Sequence, residues 1–287
     1  MVMNVDEKTK ITEADSPHND LERLSVREIL EKMNAEDAKV AVAVGEALPA
    51  LERLIEGVVE RMRAGGRLFY IGAGTAGRLG IVDASECPPT FGVPPDLVVG
   101  IIAGGDGAVR RAVEFAEDNP EQGWKDLLDR GANEKDAVVG ISASGYTPYV
   151  LGALESARKA GMLTGAIVCN PRTPIAAAAQ YPVEIVVGPE FVTGSTRLKA
   201  GTAQKMALNM ISTATMIRLG RVMGNKMADM QLANRKLIDR GTRYVAHATG
   251  LSPAQSMALL IEYGSVRAAL AAFRASENSS LHAPQTS

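Results

Sequence analysis

The sequence has few of the residue types on which several common kinds of protein depend. Of its 287 residues only 4% are aromatic, two are cysteine and three are histidine. Cys87 and Cys169 lie far apart in the sequence and fit neither a disulfide framework nor the spacing of metal ligands. None of the histidines stands with cysteines or carboxylates at metal-ligand spacing. We therefore expect no metal site, no disulfide and a reducing compartment.

The sequence also lacks a surplus of charge and a long apolar run. It contains 31 Lys and Arg against 33 Asp and Glu, which gives a net charge of -2. No basic excess is available to bind nucleic acid or an anionic membrane surface. There is no run of about 18 apolar residues, and the polar N-terminal segment has no apolar core typical of a signal peptide. These absences predict a cytoplasmic protein without nucleic-acid or membrane partners.

Short apolar runs alternate with stretches of helical periodicity over much of the chain. The runs cover residues 67–72, 96–104, 136–142, 163–169 and 183–188. Nearly continuous Val, Ile and Leu in such runs is typical of parallel strands that are covered on both faces. The pattern predicts an α/β fold with a doubly wound five-stranded parallel sheet, a helical N-terminal part and an all-helical C-terminal part.

The periodicity also suggests where the parts of the chain begin and end. We expect an N-terminal arm over residues 1–24 and an α/β domain with flanking helices over residues 25–222. A helical C-terminal domain is expected over residues 223–275. The polar segment 276–287 is predicted to be a disordered tail. Residues 25–64 have an uninterrupted helical pattern, which Gly65 and Gly66 end.

Three loops follow predicted strands and are rich in glycine, hydroxyl groups or cations. The loops are GAGTAGR (72–78), SASGYT (142–147) and TGSTRLKAGT (193–202). Ligands of open parallel sheets bind beyond the carboxyl ends of the strands, and each loop offers backbone N–H groups or hydroxyls to an anion. In the third loop Ser195 is expected to cap the following helix, while Arg197 and Lys199 supply positive charge. Each loop alone is equally compatible with an ordinary turn and helix cap.

The first loop fits the G-x-G-x-x-G pattern of dinucleotide-binding proteins, but its surroundings do not. That fold places an acidic residue about 20 positions further on, at the end of the second strand. Here Asp96 precedes the second predicted strand, and Asp106 lies beyond a further pair of glycines. We therefore expect neither a nicotinamide nor any other cofactor.

Carboxylates near these loops are candidates for acid–base chemistry. Glu86 lies before Pro88 and Pro89, which indicates a rigid irregular segment and not a regular helix face. An acidic cluster is expected near a helix end before Pro120, and its members are Glu114, Glu117, Asp118 and Glu121. The residues alone do not choose among these four carboxylates.

Long stretches of the sequence resemble one particular family. The three loops are similar to those of the sugar isomerase domain, and residues 72–95, 101–121 and 188–205 resemble N-acetylmuramic acid 6-phosphate etherases. The likeness extends from residue 12 to at least residue 250. It implies removal of D-lactate from the phosphorylated sugar by elimination and water addition, giving N-acetylglucosamine 6-phosphate. This chemistry needs no metal and no cofactor.

The resemblance also implies roles for individual residues. Glu86 corresponds to the acid that protonates departing lactate, which requires a site poor in water, and Glu117 corresponds to the base at carbon 2. The residues implied to bind the substrate and its phosphate are Gly74, Thr75, Ser142, Ser144, Gly145, Thr147, Ser195 and Lys236. The chain has Ala76 where relatives commonly have serine, which removes one hydroxyl contact.

The apolar surface of the predicted helices indicates how the chain assembles. The predicted helices at 25–64 and 196–248 carry more apolar surface than one five-stranded sheet can bury, notably at Met206, Leu208, Met210, Ile211, Met216 and Ile217. The resemblance implies a homodimer in which Lys236 and the N-terminal arm reach the partner's site. Two alternatives remain open, which are a phosphosugar-binding regulator without catalysis and an aldose–ketose phosphosugar isomerase.

Overall fold

The computed structural model describes residues 10–281, and these residues divide into two compact units. The first unit extends to Ser85 and continues over Asp96–Thr215, while the second contains Glu86–Pro95 and the chain from Met216 onward. The sequence placed a domain boundary at residues 222–223 and did not single out residues 86–95.

The first unit is built on a five-stranded parallel sheet, and this confirms the predicted fold class. Its strands are β1 (Leu68–Gly72), β2 (Val98–Ile102), β3 (Ala137–Ser142), β4 (Leu163–Val168) and β5 (Tyr181–Glu184). Their order is β2-β1-β3-β4-β5, and every neighbouring pair is parallel. Because β2 and β3 lie on opposite sides of β1, the loops that leave the carboxyl ends of β1 and β3 diverge and open a crevice.

The fifth strand lies earlier in the chain than the apolar run predicted. It covers Tyr181–Glu184, whereas residues 183–188 were expected. Pro182 argues against a central strand, but β5 is at the edge of the sheet, where one missing N–H is tolerated. Beyond Ile185, whose N–H donates to the carbonyl of Val168, the chain leaves the sheet.

Helices cover both faces of this sheet. They are α1 (Val26–Glu46), α2 (Leu48–Arg63), α3 (Gly74–Phe91), α4 (Gln122–Asp129), α5 (Pro148–Lys159), α6 (Pro174–Ala178) and α7 (Lys199–Arg218). The continuous pattern over residues 25–64 is in fact two helices that meet at Ala47. The break follows from Pro49, which has no N–H and would clash with a carbonyl of the preceding turn in an uninterrupted helix.

Alternating side chains of the strands supply the core. Phe69 and Ile71 of β1 are fully buried with Tyr149 and Leu154 of α5 on one face. Tyr70 points to the opposite face, where Gly80 lets α3 approach closely, since a methyl group there would lie 3.0 Å from the Tyr70 Cβ. The two-residue period of the strands therefore explains how both faces are covered.

The second unit is helical, as the sequence predicted. Helices α8 (Arg235–Thr249), α9 (Pro253–Tyr263) and α10 (Val266–Leu281) enclose a small core that includes Val245 and Leu260. Helix α10 extends to Leu281, into the segment 276–287 for which disorder was expected, because its periodic apolar residues before Ala275 propagate a helix that polar residues can continue. The remainder of that segment lies outside the described residues.

Residues 10–281 contain neither a single membrane-spanning helix nor a cluster of metal ligands. No single helix there has the length and apolar character needed to cross a bilayer, and only α9 and α10 taken together, with a bend of 108° between them, reach both requirements. The same residues contain no group of three or more His, Cys, Asp or Glu side chains arranged to hold a metal ion.

A buried ion cluster joins distant parts of the first unit. Lys199 Nζ donates to Glu36 Oε2 at 2.6 Å, and these side chains are only 2% and 7% exposed. The other carboxylate oxygen accepts a 2.7 Å bond from Lys39 and lies 3.1 Å from His18 Nε2. Burial alone would raise the pKa of Glu36, but these hydrogen bonds outweigh it and lower the pKa to about 2.

We expect Glu36→Gln to lower the free energy of unfolding by about 3–5 kcal/mol, because it leaves the buried Lys199 ammonium without a counter-charge. The folded-state pKa of Glu36 is depressed, so its contribution is complete above pH 4.5, the ordinary value, and is lost as the pH falls towards about 2. Urea unfolding as a function of pH measures both effects, and the difference between wild type and variant should narrow across that interval.

Glu31→Gln is the matched control on the same helix. Glu31 forms an exposed ion pair with Arg27, and such pairs contribute about 1 kcal/mol or less. Equal destabilisation by the two substitutions would contradict a special role for the buried cluster.

Candidate functional site

The loop after β3 has the geometry of an anion-binding loop. The hydroxyl of Ser142 lies 2.9 Å from that of Thr147 and 3.3 Å from that of Ser144. The backbone N–H of Gly145 donates to Ser142 Oγ at 3.0 Å, and that of Tyr146 donates to Ser144 Oγ at 3.2 Å. The structure thus brings together all four loop residues that the sequence selected.

Gly145 is required at the tip of this loop for two reasons. Its φ of 77° lies in the left-handed region, which side chains other than glycine disfavour. In addition, a methyl group at this position would overlap the side chain of Thr173. The loop is therefore fixed by packing before any ligand binds.

The glycine-rich loop after β1 leads directly into α3. Gly74 has a φ of 53° and begins the helix, so the free N–H groups of the first turn stand next to the carboxyl end of β1. A methyl group on Gly77 would lie 2.6 Å from Ile102 Cγ1 and 2.8 Å from the carbonyl oxygen of Gly72. A methyl group on Gly72 would in turn lie 2.7 Å from the Gly77 nitrogen, so Gly72 and Gly77 serve close strand–helix packing, which does not require a dinucleotide.

A cleft of about 370 Å³ lies between these two loops, within the range of small-molecule sites. The residues that line it include Gly74 and the polar residues Glu13, Thr75, Glu117, Asp118, Ser142, Ser144, Tyr146, Thr147, Thr196 and Gln204. Six of the eight residues predicted to bind substrate contribute to this loop pair: Gly74, Thr75, Ser142, Ser144, Gly145 and Thr147. No lysine or arginine lines the cleft in the part of the chain that the structure describes.

The third loop differs from its prediction. Helix α7 begins at Lys199, beyond Ser195, and Glu190 caps it instead: the carboxylate accepts 2.9 Å bonds from the N–H groups of Lys199 and Ala200. The expectation that Ser195 caps the helix is therefore wrong. Lys199 is buried in its ion pair and faces no ligand, whereas Thr196, which sequence reasoning did not select, lines the cleft.

The acidic cluster before Pro120 has no helix around it. Residues 110–121 form turns between Arg110 and the start of α4, and Phe115 has a φ of 57°. The expected helix end is wrong, because the residue before a proline disfavours the helical conformation. Glu117 lines the cleft with Asp118, while Glu114 lines only an adjoining one.

Glu86 and Lys236 belong to the second unit. Glu86 lies on α3, which continues through Pro88 and Pro89 to Phe91, so the expected irregular segment is wrong. A helix tolerates these prolines because they stand in its last turns, where only two main-chain hydrogen bonds are lost. The side chain of Glu86 is exposed, contrary to the expected water-poor surroundings, and Lys236 is an exposed residue of α8.

The cysteine nearest the cleft has no nucleophilic character. Burial, followed by the negative charge of Glu190, raises the pKa of Cys169 to about 12. Its thiol is therefore neutral at physiological pH and belongs to the core. The acid–base groups that line the cleft are the carboxylates Glu13, Glu117 and Asp118 and the phenol of Tyr146.

Comparison with protein families gives two adjoining matches. Residues 50–158 match the glucokinase regulatory protein N-terminal SIS domain, and residues 118–214 match the SIS domain. Among solved structures, a phosphosugar isomerase described as involved in capsule formation in Bacteroides fragilis is 21% identical, with a TM-score of 0.54, covering 70% of this chain and 95% of that one. The phosphoheptose isomerase of Neisseria gonorrhoeae is 17% identical, with a TM-score of 0.51 and coverages of 67% and 98%. These similarities support the sugar isomerase fold.

Much closer relatives are N-acetylmuramic acid 6-phosphate etherases. The chain is 58% identical to the etherase of Bacteroides fragilis over 266 residues, which cover 93% of this chain and 95% of the relative. It is 61% identical to that of Porphyromonas gingivalis over 260 residues, with coverages of 91% and 95%. The etherase of Christiangramia forsetii is 53% identical and is covered completely.

Proposed function

Because this chain belongs to the N-acetylmuramic acid 6-phosphate etherases, we propose that the cleft between the loops after β1 and β3 is the site of that reaction. The chain is a carbon–oxygen lyase of the sugar isomerase fold and acts on the lactyl ether of N-acetylmuramic acid 6-phosphate. The observation that best supports the location is the convergence of Ser142, Ser144 and Thr147 hydroxyls beside Glu117 in one cleft.

The hydroxyls and N–H groups of the SASGYT loop bind the phosphate. A phosphate dianion only accepts hydrogen bonds, and the loop presents the hydroxyls of Ser142, Ser144 and Thr147 to the cleft. Gly74 and Thr75 present the first turn of α3 from the other side of the cleft. Ser195 does not line the cleft, and its binding role rests on the family resemblance alone.

Two carboxyl groups carry out the elimination. In the opened sugar the carbon 1 aldehyde acidifies the proton on carbon 2, and Glu117 takes that proton. Loss of the proton gives an enolate, whose electron pair then forms the carbon 2–carbon 3 double bond as the carbon 3–oxygen bond breaks. Glu86, whose side chain is exposed and whose role rests on the family resemblance, gives its proton to departing lactate. Water then adds to carbon 3 and loses a proton to Glu86, while Glu117 returns a proton to carbon 2. Both residues end in their starting states.

The phosphate supplies binding energy at a distance from the reacting carbons. Such energy positions carbon 2 against the base and raises the rate if it is realised fully in the transition state. Lys236 is proposed to contribute to the substrate site in the assembled enzyme.

We further propose a cytoplasmic homodimer. The two cysteines are free and buried, which supports a reducing compartment. Of the α7 residues expected to supply apolar surface, Leu208, Ile211 and Met216 are buried within the chain, whereas Ile217 is 50% exposed. Exposed apolar side chains are also found on α1, where Val26, Leu30 and Val42 are 72%, 60% and 65% exposed. The products, N-acetylglucosamine 6-phosphate and D-lactate, are those expected if a bacterial cell recycles peptidoglycan fragments.

Sedimentation at low micromolar concentration should give twice the 30.3 kDa chain mass, because an interface of about 2,000 Å² resists dilution. Leu30→Glu should shift the equilibrium towards monomer, while Leu128→Glu, a similarly exposed position on α4, should not. A fully active monomer would refute the proposal.

Glu86→Gln should stop lactate release from N-acetylmuramic acid 6-phosphate, while the wild-type enzyme releases it, because glutamine has a similar shape but no acidic proton. The loss should be about 10²–10⁴-fold. Exchange of the carbon 2 proton in heavy water should persist, since the base is intact. Near-wild-type turnover of the variant would show that another group is the acid.

Glu117→Gln should stop both lactate release and carbon 2 exchange, because the base acts first. Deuterium incorporation, followed by NMR, measures the exchange. Glu114→Gln is the matched control, since Glu114 belongs to the same acidic cluster but lines only the adjoining cleft. If Glu117→Gln exchanges normally and Glu114→Gln does not, the two assignments must be reversed.

A further inference from the structure

The N-terminal arm is hydrogen-bonded to the first unit of its own chain. The N–H of Thr12 donates to Asn170 Oδ1 at 3.1 Å. The N–H of Ser16 donates to Thr193 Oγ1 at 2.9 Å, and the Ser16 hydroxyl donates to the carbonyl of Phe191 at 2.8 Å. These contacts hold the arm against the loops that follow β4 and β5.

Asn170 connects the arm to the proposed phosphate loop. Its side-chain Nδ2 donates to Thr12 Oγ1 at 2.8 Å and to the carbonyl oxygen of Ser144 at 3.0 Å. Thr12 is 1% exposed and Asn170 is 2% exposed, so the bonds are shielded from water. One amide group thus uses both of its hydrogens to hold the arm and the loop together.

Glu13 follows Thr12 directly and lines the cleft with Glu117 and Ser144. Its Oε2 lies 3.2 Å from the position that a methyl group on Gly194 would occupy, so the carboxylate is next to the third loop. The hydrogen bonds found among residues 10–281 include none to the Glu13 carboxylate. Its capacity to accept hydrogen bonds is therefore available to a ligand.

We propose that Glu13 is a specificity-determining residue that accepts hydrogen bonds from hydroxyl groups of the bound sugar. This inference rests on the proposed function of the cleft. A carboxylate only accepts hydrogen bonds, and it repels a second anion in the same cleft. Sugar hydroxyls compensate for that repulsion through charge-assisted hydrogen bonds, whereas a bare phosphate does not. Glu13 therefore favours sugar phosphates over inorganic phosphate.

The test compares two ligands in Glu13→Gln, which keeps the size of the side chain but removes its charge. The dissociation constant for N-acetylglucosamine 6-phosphate, measured by calorimetry, should rise roughly tenfold or more, as expected for loss of a charged hydrogen bond. That for inorganic phosphate should stay unchanged or fall. The KM for N-acetylmuramic acid 6-phosphate should rise together with the dissociation constant for N-acetylglucosamine 6-phosphate, and kcat should change less.

Asp15→Asn is the matched control. It removes the same charge from the same arm at an exposed position that does not line the cleft, and it should leave both dissociation constants unchanged. Thr12→Val removes the acceptor of the Asn170 bond and should raise the sugar phosphate constant through loss of Glu13 positioning. The variant that combines Thr12→Val with Glu13→Gln should then bind the sugar phosphate only slightly more weakly than Glu13→Gln alone.

The outcomes separate this inference from the proposed function. If the wild-type enzyme releases lactate but Glu13→Gln binds both ligands as wild type does, the role of Glu13 is refuted and the function stands. Equal weakening for both ligands would also refute it, because that result indicates a structural role. If the wild-type enzyme releases no lactate, the proposed function fails, and the calorimetric comparison still tests Glu13.

Discussion

The reversal of strand order at β1 is the constraint on which the candidate site depends. Because β2 and β3 lie on opposite sides of β1, the loops after β1 and β3 leave the sheet in different directions and open a cleft. Each loop begins a helix, α3 or α5. Residues of the first turn of α3 line the cleft, whereas in α5 Pro148 has no N–H and that of Tyr149 donates to the carbonyl of Glu117 at 3.0 Å. The position of the cleft thus follows from the topology before any side chain is considered.

The hydrogen-bond donors that line the proposed phosphate site are neutral among the described residues. Hydroxyls and N–H groups line it, and the one lysine near the third loop, Lys199, is neutralised by Glu36 away from the cleft. This arrangement has a chemical consequence. A cation next to Glu117 would stabilise its charged form and weaken it as a base, and no lysine or arginine lines the cleft among the described residues.

The sequence predicted the features that depend on local chemistry. Buried Val and Ile runs identified β1 to β4, and hydroxyls around Gly145 identified the loop that the structure forms. Prediction failed where tertiary contacts decide the outcome. The distant Glu190 displaces Ser195 as the cap of α7, and Glu36 withdraws Lys199 from the solvent. No local sequence pattern indicates that Lys199 pairs with Glu36, which is 163 positions away in the chain.

Prolines led to two opposite kinds of wrong prediction, a helix break that was not expected and one that was expected but does not occur. The position of each proline within its helix or strand explains the result. Pro49 breaks a pattern that otherwise reads as one helix, since it falls at the first turn of α2. Pro88 and Pro89 do not break α3, since the helix has almost ended, and Pro182 does not exclude β5, since that strand is at an edge. The sequence shows where the prolines are in the chain but not where they lie within a helix or a strand.

The arm and the third loop share the same charged anchor, which links stability to the shape of the cleft. His18 of the arm and Lys199 at the start of α7 contact opposite oxygens of Glu36. Glu190, which caps α7, lies directly before Phe191, whose carbonyl accepts from Ser16 of the arm. Buried ion pairs often add little net stability, but they are costly to leave half-formed. The contact of His18 with this cluster adds to the hydrogen bonds that Thr12 and Ser16 form with Asn170 and Phe191, and the arm held in this way places Glu13 at the cleft.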